Sequence, residues 1–358
     1  MYVKSLDLLN FRNYDSASIQ LDPGINIFYG DNAQGKTNIL EAIYLGGTSK
    51  SHKGTKDRDM IKIGREESHI RMHVDKNQND YRIDMHLKKN KSKGIAIGGI
   101  PIRRAGELFG IVNIVFFSPE DLNIIKNGPG ERRRFLDLIL CETDKIYMSD
   151  LAQYGKCLSQ RNKLLHDLYM QPYLESELSV WDEQLVNIGR RIIDKRAEFI
   201  IALSEIASEI HLKLTGGKEK LSLSYEPNTE SDLFLEKIIK NRDTDKKMKT
   251  TTSGPHRDDF CIKANAMDLR TYGSQGQQRT AALTLKLSEI RLIEERIHDH
   301  PVLLLDDVLS ELDRDRQNYL LQSIKGTQTL ITCTGLDEFV ENNFVADRTF
   351  HVKEGSIE

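Results

Sequence analysis

The stretch that most constrains this chain is INIFYGDNAQGKTNILEAI, residues 25–43. A short apolar run ends in a glycine. Gly30-Asp31-Asn32-Ala33-Gln34-Gly35-Lys36-Thr37 then fits the pattern G-x-x-x-x-G-K-[ST]. Ile39, Leu40 and Ile43 follow at helical spacing, and Gly46-Gly47 reads as the stop. A buried strand feeding a helix through a glycine-rich loop is a βα unit, so the expected fold class is α/β. The glycines let the backbone curl until successive N–H groups face one anion. Lys36 would reach the β/γ-phosphates of a nucleotide, and the Thr37 hydroxyl would bind Mg²⁺. The helix dipole adds positive potential at the same point. The bland alternative is a glycine-rich turn. Average residue usage gives the pattern by chance in about one such chain in a hundred, and the flanking strand and helix are the context it requires.

A phosphate cradle of this kind needs an acid on a nearby strand. VLLLDDVLSELD, residues 302–313, supplies one. Four apolar residues place Asp306 at a strand's C-terminal end, where α/β sheets bind ligands. Asp306 would hold the metal, and Asp307 could orient or deprotonate a water. The alternative is two acids that cap the next helix, which the cradle makes the weaker reading. Upstream, Ser274-Gln275-Gly276-Gln277 opens a long helix and offers a second anion-binding helix end. In this order it resembles the signature motif of the ABC ATPase superfamily, and Ser310-Glu311-Leu312-Asp313 resembles its D-loop. The resemblance implies an ATP-dependent homodimer, in which the signature of one copy closes on the nucleotide held by the other.

The chain has 358 residues, enough for two domains or one large α/β domain with an insertion. Strand-like pieces fill the first part: VKSLDLLNFRNY, INIFYG, YRIDMHL, GIAIGGIPI and IVNIVFF. From about 131 to 215 no strand signal occurs. There Trp181, Leu185, Ile188, Ile192, Phe199, Leu203, Ile206 and Ile210 form a helical stripe, broken only by a polar step at Arg196. LAQYGKCLSQRNKLLHDLYM is its expected antiparallel partner. A coiled-coil arm and the core of a helical lobe both fit such a seam; the length favours the lobe. The charged segment at residues 238–252 reads as a solvated loop. After 253 the strand and helix signals return. The expected organisation is a head from residues 1–130 and 253–358, with 131–252 inserted as a helical lobe.

Net charge is −3, which excludes a wholly polybasic nucleic-acid binder and leaves local basic patches. Cys141, Cys157, Cys261 and Cys333 are scattered without a CxxC pair, as expected of free thiols in a reducing compartment. The N-terminus lacks a basic segment followed by an apolar one, and no apolar run would span a bilayer. The expected location is the cytoplasm.

Further phrases narrow the class: LLNFRNY at 8–14, FFSPEDL at 116–122, GPGERRRFLD at 128–137, QRNKLL at 160–165 and GPHRDDF at 254–260. With the cradle, signature and acid strand they resemble the RecF family of bacterial recombinational-repair proteins along the whole chain. The resemblance implies a P-loop ABC-type ATPase head, related to SMC/Rad50 heads, with a mixed β-sheet, flanking helices and an inserted α-helical lobe. It implies ATP and Mg²⁺ as cofactors. Arg12, Ser274, Gly276 and Gln277 would join residues 30–37 as ATP contacts. Thr37 and Asp306 would hold the metal, and Lys36, Asp306 and Asp307 would serve hydrolysis. It also implies binding at single-strand/double-strand DNA junctions, partnership with RecR and RecO, help in loading RecA, and roles in replication and the SOS response.

Two departures from the wider superfamily stand out. Asp307 occupies a position usually held by Glu, and TLITCTG offers only Thr332 or Thr334 where a His is usual. Both predict slow hydrolysis, and the expected activity is that of a weak, DNA-stimulated ATPase. Candidate DNA contacts are His52, Lys53, Arg132, Arg133, Arg134 and Arg161, with Lys163, Arg190, Arg191, Lys195 and Arg196 of the lobe; each is equally readable as part of a solvated charged face. His256 and Arg257 fit a salt-bridge corner or the nucleotide site. His298 and His300 look like a metal pair but read better as a surface turn. The competing functions are a transporter's nucleotide-binding subunit, an SMC-like tether and a small-molecule kinase. The helical lobe, Asp307 and the missing His weigh against the first, the short insertion against the second and the signature against the third.

Overall fold

A computed structural model describes residues 1–335 and 346–358. The first third runs β1 (Tyr2–Phe11), β2 (Tyr14–Gln20), β3 (Ile25–Tyr29), α1 (Lys36–Thr48), β4 (Glu67–Lys76), β5 (Asn79–Lys88), β6 (Lys91–Ile97), β7 (Ile100–Pro101) and β8 (Ile114–Phe117). The middle holds α2 (Asn123–Lys126), α3 (Pro129–Thr143), α4 (Lys145–Asp167), α5 (Leu178–Leu214), β9 (Leu221–Glu226), α6 (Phe234–Lys240), α7 (Arg242–Met248), β10 (Asp259–Ala264), β11 (Met267–Asp268) and α8 (Leu269–Tyr272). The last part is α9 (Gln275–Ile297), β12 (Val302–Asp306), α10 (Arg314–Ser323), β13 (Thr329–Cys333), β14 (Arg348–Lys353) and β15 (Ser356–Ile357).

Packing divides the chain into two units, Met1–Asp121 with Glu289–Glu358, and Leu122–Ser288. The division differs from the sequence expectation at residues 131 and 252. The segment from 253 to 288 packs with the helical unit, because β10 pairs antiparallel with β9 from Asp259↔Glu226 to Ala264↔Leu221. That pairing joins residues far apart in sequence, so no local pattern announces it. The chain crosses back to the first unit inside α9.

The first unit contains a sheet of order β15-β14-β3-β13-β12-β8. Within it β14, β3, β13, β12 and β8 are mutually parallel. VLLLD of β12 and TLITC of β13 are buried throughout, as near-continuous apolar runs in a parallel sheet must be. A second sheet, β2-β1-β4-β5-β6-β7, is antiparallel. Its strands alternate, with Ile70, Met72, Val74, Ile83, Met85 and Leu87 turned inward. Helix α1 buries Ile39, Leu40 and Ile43 as the spacing required. Gly46 and Gly47 do not stop it, since the helix continues to Thr48 and is closed by the Ser49 N–H on the Leu45 carbonyl. The two glycines serve packing. A Cβ on Gly47 would lie 2.5 Å from Ile114 Cδ1, and one on Gly46 2.9 Å from Met72 Cε. Helix α10 is capped by Asp313, which accepts from the Arg316 N–H. Ser310 sits in a 3₁₀ turn before it.

In the second unit α4 packs against α5, a helix of 37 residues, and Leu185, Ile192, Phe199 and Leu203 of the expected stripe are fully buried. Arg196 is no solvated break in that stripe. It is buried and donates to the Pro255 carbonyl, Asp137, Asp258 and the Tyr147 hydroxyl at 2.6–3.1 Å. The expected loop at 238–252 is instead the end of α6 and the whole of α7. Its charge pattern misled because Asp245 is a buried ion-pair partner of Arg161, at 2.7 Å.

Candidate functional site

The cradle is shaped by backbone that only glycine tolerates. Gly30 has φ +145°, and a Cβ there would lie 2.3 Å from the Val352 carbonyl oxygen. Gly35 has φ +117°, with the Asn13 amide 2.5 Å from where its Cβ would be. Asp31, Asn32 and Ala33 form an exposed apex. The loop behind them is anchored. The Gln34 carbonyl accepts from Asn13 Nδ2 at 2.8 Å and from the Gly355 N–H at 3.1 Å. The Gln34 side chain accepts from the Glu354 N–H at 2.6 Å, and the Tyr14 hydroxyl donates to the Gly35 carbonyl. Asn38 of α1 donates back to Asn13 Oδ1 at 2.8 Å.

Lys36 folds into this loop. Its Nζ donates to the Gly30 carbonyl at 2.5 Å and the Asp31 carbonyl at 2.7 Å. Burial pushes its pKa below the ordinary lysine value, against the opposing pull of Asp307, Cys333, Asp306 and Asp31. Thr37 Oγ1 donates to Asp306 Oδ1 at 2.7 Å, and Thr332 Oγ1 donates to the same oxygen at 2.8 Å. Parallel pairing explains the convergence, because Asp306 lies directly opposite Thr332 in the β12–β13 register. Asp307 turns outward at φ +54° and is exposed; its N–H donates to Thr332 Oγ1 at 3.0 Å. Ser310 Oγ donates to the Asp307 carbonyl at 2.9 Å and lies 3.3 Å from Asp307 Oδ1. Of the two threonines, Thr332 is therefore the one wired to the acid pair, while Thr334 is exposed.

Arg12 is occupied by protein. It forms a two-pronged pair with Glu41, at 2.7 and 2.9 Å, and reaches the Asp59 carbonyl and Thr55. Burial would raise the Glu41 carboxyl, yet Arg12 and Ser51 hold it below its ordinary range. At the start of α9, Ser274 and Gln277 cap each other. The Gln277 side chain accepts from the Ser274 N–H at 2.9 Å, and Ser274 Oγ from the Gln277 N–H at 3.3 Å. Gln277 also donates to Glu219 at 2.9 Å. Ser274, Gln275 and Gly276 remain exposed.

The basic candidates separate sharply. Arg132 is buried on Asp259 in a two-pronged pair at 2.6 and 2.9 Å. Arg161 is fully buried between Asp182 and Asp245. Neither can meet a DNA phosphate, and both expectations are corrected: each guanidinium neutralises acids within the second unit. Arg133 donates to the Asp258 carbonyl at 2.6 Å, and Arg191 is held by Asp150. Lys53 and Arg134 are exposed. His52 stacks on Phe116 with ring centroids 4.0 Å apart. His256 is half-buried in the second unit, where Nε2 meets the Thr251 carbonyl at 3.0 Å and Nδ1 the Tyr154 hydroxyl at 2.8 Å. Arg257 beside it is exposed. His298 and His300 join no group of three metal-ligating side chains among the described residues.

Matches to known proteins run from end to end of the chain. The family model described as RecF/RecN/SMC N terminal domain matches residues 2–357. The DNA replication and repair protein RecF of Agathobacter rectalis is 60% identical over 358 residues, covering 100% of this chain and 99% of its own. The chain belongs to the RecF family. Among solved structures, one described as the recombination mediator protein RecF-ATP in the RecFOR pathway superposes with TM-score 0.93 at 37% identity, over 100% of this chain and 97% of that one. The Smc head domain of Pyrococcus furiosus superposes with TM-score 0.58 at 18% identity, over 100% and 95% of the two chains, and shares the fold alone. This RecF-family protein thus has the α/β fold that solved RecF shares with Smc heads. No described helix is long and apolar enough to cross a membrane.

Some bracing side chains carried no assignment in the sequence. Asn13 and Asn38 brace the glycine-rich loop, and Glu219 accepts from Gln277 at the start of α9. The phrase NFRNY drew attention to Asn13 only as part of the family resemblance, without saying what it touches.

Proposed function

We propose that this RecF-family chain is an ATP-switched DNA-binding protein of replication and recombinational repair, and a slow ATPase. The observation that carries the reading is the convergence of Lys36, Thr37, Asp306 and Thr332 at the C-terminal ends of β3, β12 and β13, beneath a glycine-shaped loop. Lys36 would exchange the two loop carbonyls for phosphate oxygens. The Thr37 hydroxyl and Asp306 carboxylate, 2.7 Å apart, are a hard oxygen pair suited to Mg²⁺. When bound, Mg²⁺ supplies charge neutralisation at the β/γ-phosphates. Asp307, exposed and held by Ser310, would orient or deprotonate the attacking water. Thr332 cannot take a proton at neutral pH, so it fixes the acid pair and does no acid–base work. Slow hydrolysis follows.

The exposed Ser274-Gln275-Gly276 end of α9 is suited to close over the γ-phosphate bound by a second copy, giving an ATP-dependent homodimer. The packing units would act as an ATPase head and a helical lobe. Lys53 and Arg134 are the proposed phosphate contacts on DNA. DNA at strand junctions, RecO, RecR, RecA loading, the SOS response and a cytoplasmic location belong to the same proposal, supported by the RecF names of the relatives. A transporter subunit gains support from none of these observations. Sedimentation with and without ATP on gapped DNA tests the reading, using wild type, Lys36→Met and Ser274→Arg. Dimerisation that needs ATP and is lost in both variants is expected; dimerisation indifferent to all three overturns it.

A further inference from the structure

Away from the nucleotide site, Glu67, His69 and His86 bring three metal-ligating side chains together. One ligand atom from each lies within 4.8 Å of the others. Strand pairing creates the cluster, since His69 of β4 stands directly opposite His86 of β5. Period-two alternation puts Glu67, His69 and His86 on one face, away from the inward Ile70, Met72, Met85 and Leu87. The two imidazoles stack, with centroids 4.0 Å apart and planes at 24°. Both turn Nε2 to the same carboxylate. His86 Nε2 is 2.8 Å from Glu67 Oε2, and His69 Nε2 is 3.7 Å from Glu67 Oε1.

We propose that Glu67, His69 and His86 form a binding site for one zinc-class divalent cation on the outer face of the antiparallel sheet. Two imidazole nitrogens and one carboxylate oxygen are the donor set of a borderline, tetrahedral cation, with bond lengths of about 2.0–2.2 Å. Imidazole disfavours Mg²⁺, so this site and the Thr37–Asp306 pair select different metals. Space for the cation exists. Gly94, opposite His86 on β6, contributes no side chain, and a groove of about 530 Å³ opens there, walled by Leu9, Ile95 and Arg71. A fourth coordination position would face that groove and carry water. The metal would pin β4 to β5, and β4 is the strand whose inner face sets Met72 against Gly46 of α1.

The test uses the full-length protein, stripped with chelator and free of nucleotide, titrated with Zn²⁺ alone by calorimetry. One ion per chain is expected, with a rise in thermal unfolding temperature. His69→Ala/His86→Ala should abolish both effects, and Glu67→Gln should weaken binding at least about tenfold, the loss that even outer partners of a metal produce. His298→Ala/His300→Ala should change neither. Co²⁺ substitution should give the intense visible absorption of a tetrahedral site in wild type and not in the double variant. No Zn²⁺ uptake by wild type, or unchanged uptake in His69→Ala/His86→Ala, overturns the proposal. If the double variant does not fold, Glu67→Gln alters one exposed side chain and decides the matter by itself: unchanged affinity overturns the site.

Discussion

Asp306 accepts from two hydroxyls at one oxygen, Thr37 at 2.7 Å and Thr332 at 2.8 Å, and Thr332 in turn accepts the Asp307 N–H. One threonine therefore sets the position of both acids. Thr332→Val removes donor and acceptor together while keeping the shape. Single-turnover hydrolysis should fall about tenfold, the equivalent of one buried hydrogen bond, and Thr332→Ser should restore it. Asp307→Asn should cost about 10²–10⁴ in hydrolysis, the usual worth of a general base, with nucleotide affinity kept. A binding assay with a fluorescent nucleotide beside the turnover assay separates these outcomes. Lys36 and Thr37 stood out in the sequence because a strand–loop–helix pattern places them locally, and Asp306 because four apolar residues put it at a strand end. Thr332 was not distinguishable from Thr334, because only the β12–β13 register says which threonine faces Asp306.

At the scale of elements, the second unit is held by buried guanidinium groups that the sequence offered as DNA contacts. Arg196 of α5 joins Asp137 of α3 to the Asp258 corner, and Arg161 of α4 joins Asp182 of α5 to Asp245 of α7. Arg196→Ala leaves two carboxylates without their buried partner and should cost about 3–5 kcal/mol in urea unfolding. Arg134→Ala, at an exposed position, should instead weaken DNA binding and reduce its salt dependence with little change in stability. His256 adds a pH signature. Burial pushes its pKa below the ordinary value, aided by Arg257 and Arg133 and resisted by the Thr251 carbonyl and Asp258. Because the Thr251 carbonyl can only accept, Nε2 carries the proton and Nδ1 accepts from Tyr154, which is the neutral ring. The unfolded chain binds the proton more readily, so this contribution is complete above about pH 6.5 and is lost as pH falls toward the lowered folded value. Unfolding between pH 7 and pH 5 should show that loss in wild type and less of it in His256→Asn.

For the whole molecule, the cradle and acid pair lie in the first packing unit, and the signature in the second. A site that needs both, from two copies, predicts that ATP and assembly are coupled: chains mixed from Lys36→Met and Ser274→Arg should recover at most one working site per dimer, measured by turnover against mixing ratio. The sequence by itself determined the α/β class, the glycine-rich strand-to-helix loop, the acid strand, the long helices and the family resemblance. Each of those is written in contiguous residues, where period, turn chemistry and spacing act over a few positions. Only the tertiary structure decided that residues 253–288 pack with the helices, that Gly46 and Gly47 admit neighbouring strands, that Arg132 and Arg161 are interior, and that His69 meets His86. Those facts rest on pairings between distant segments, and charge or glycine reads the same in a sequence whether the fold buries it or leaves it in water.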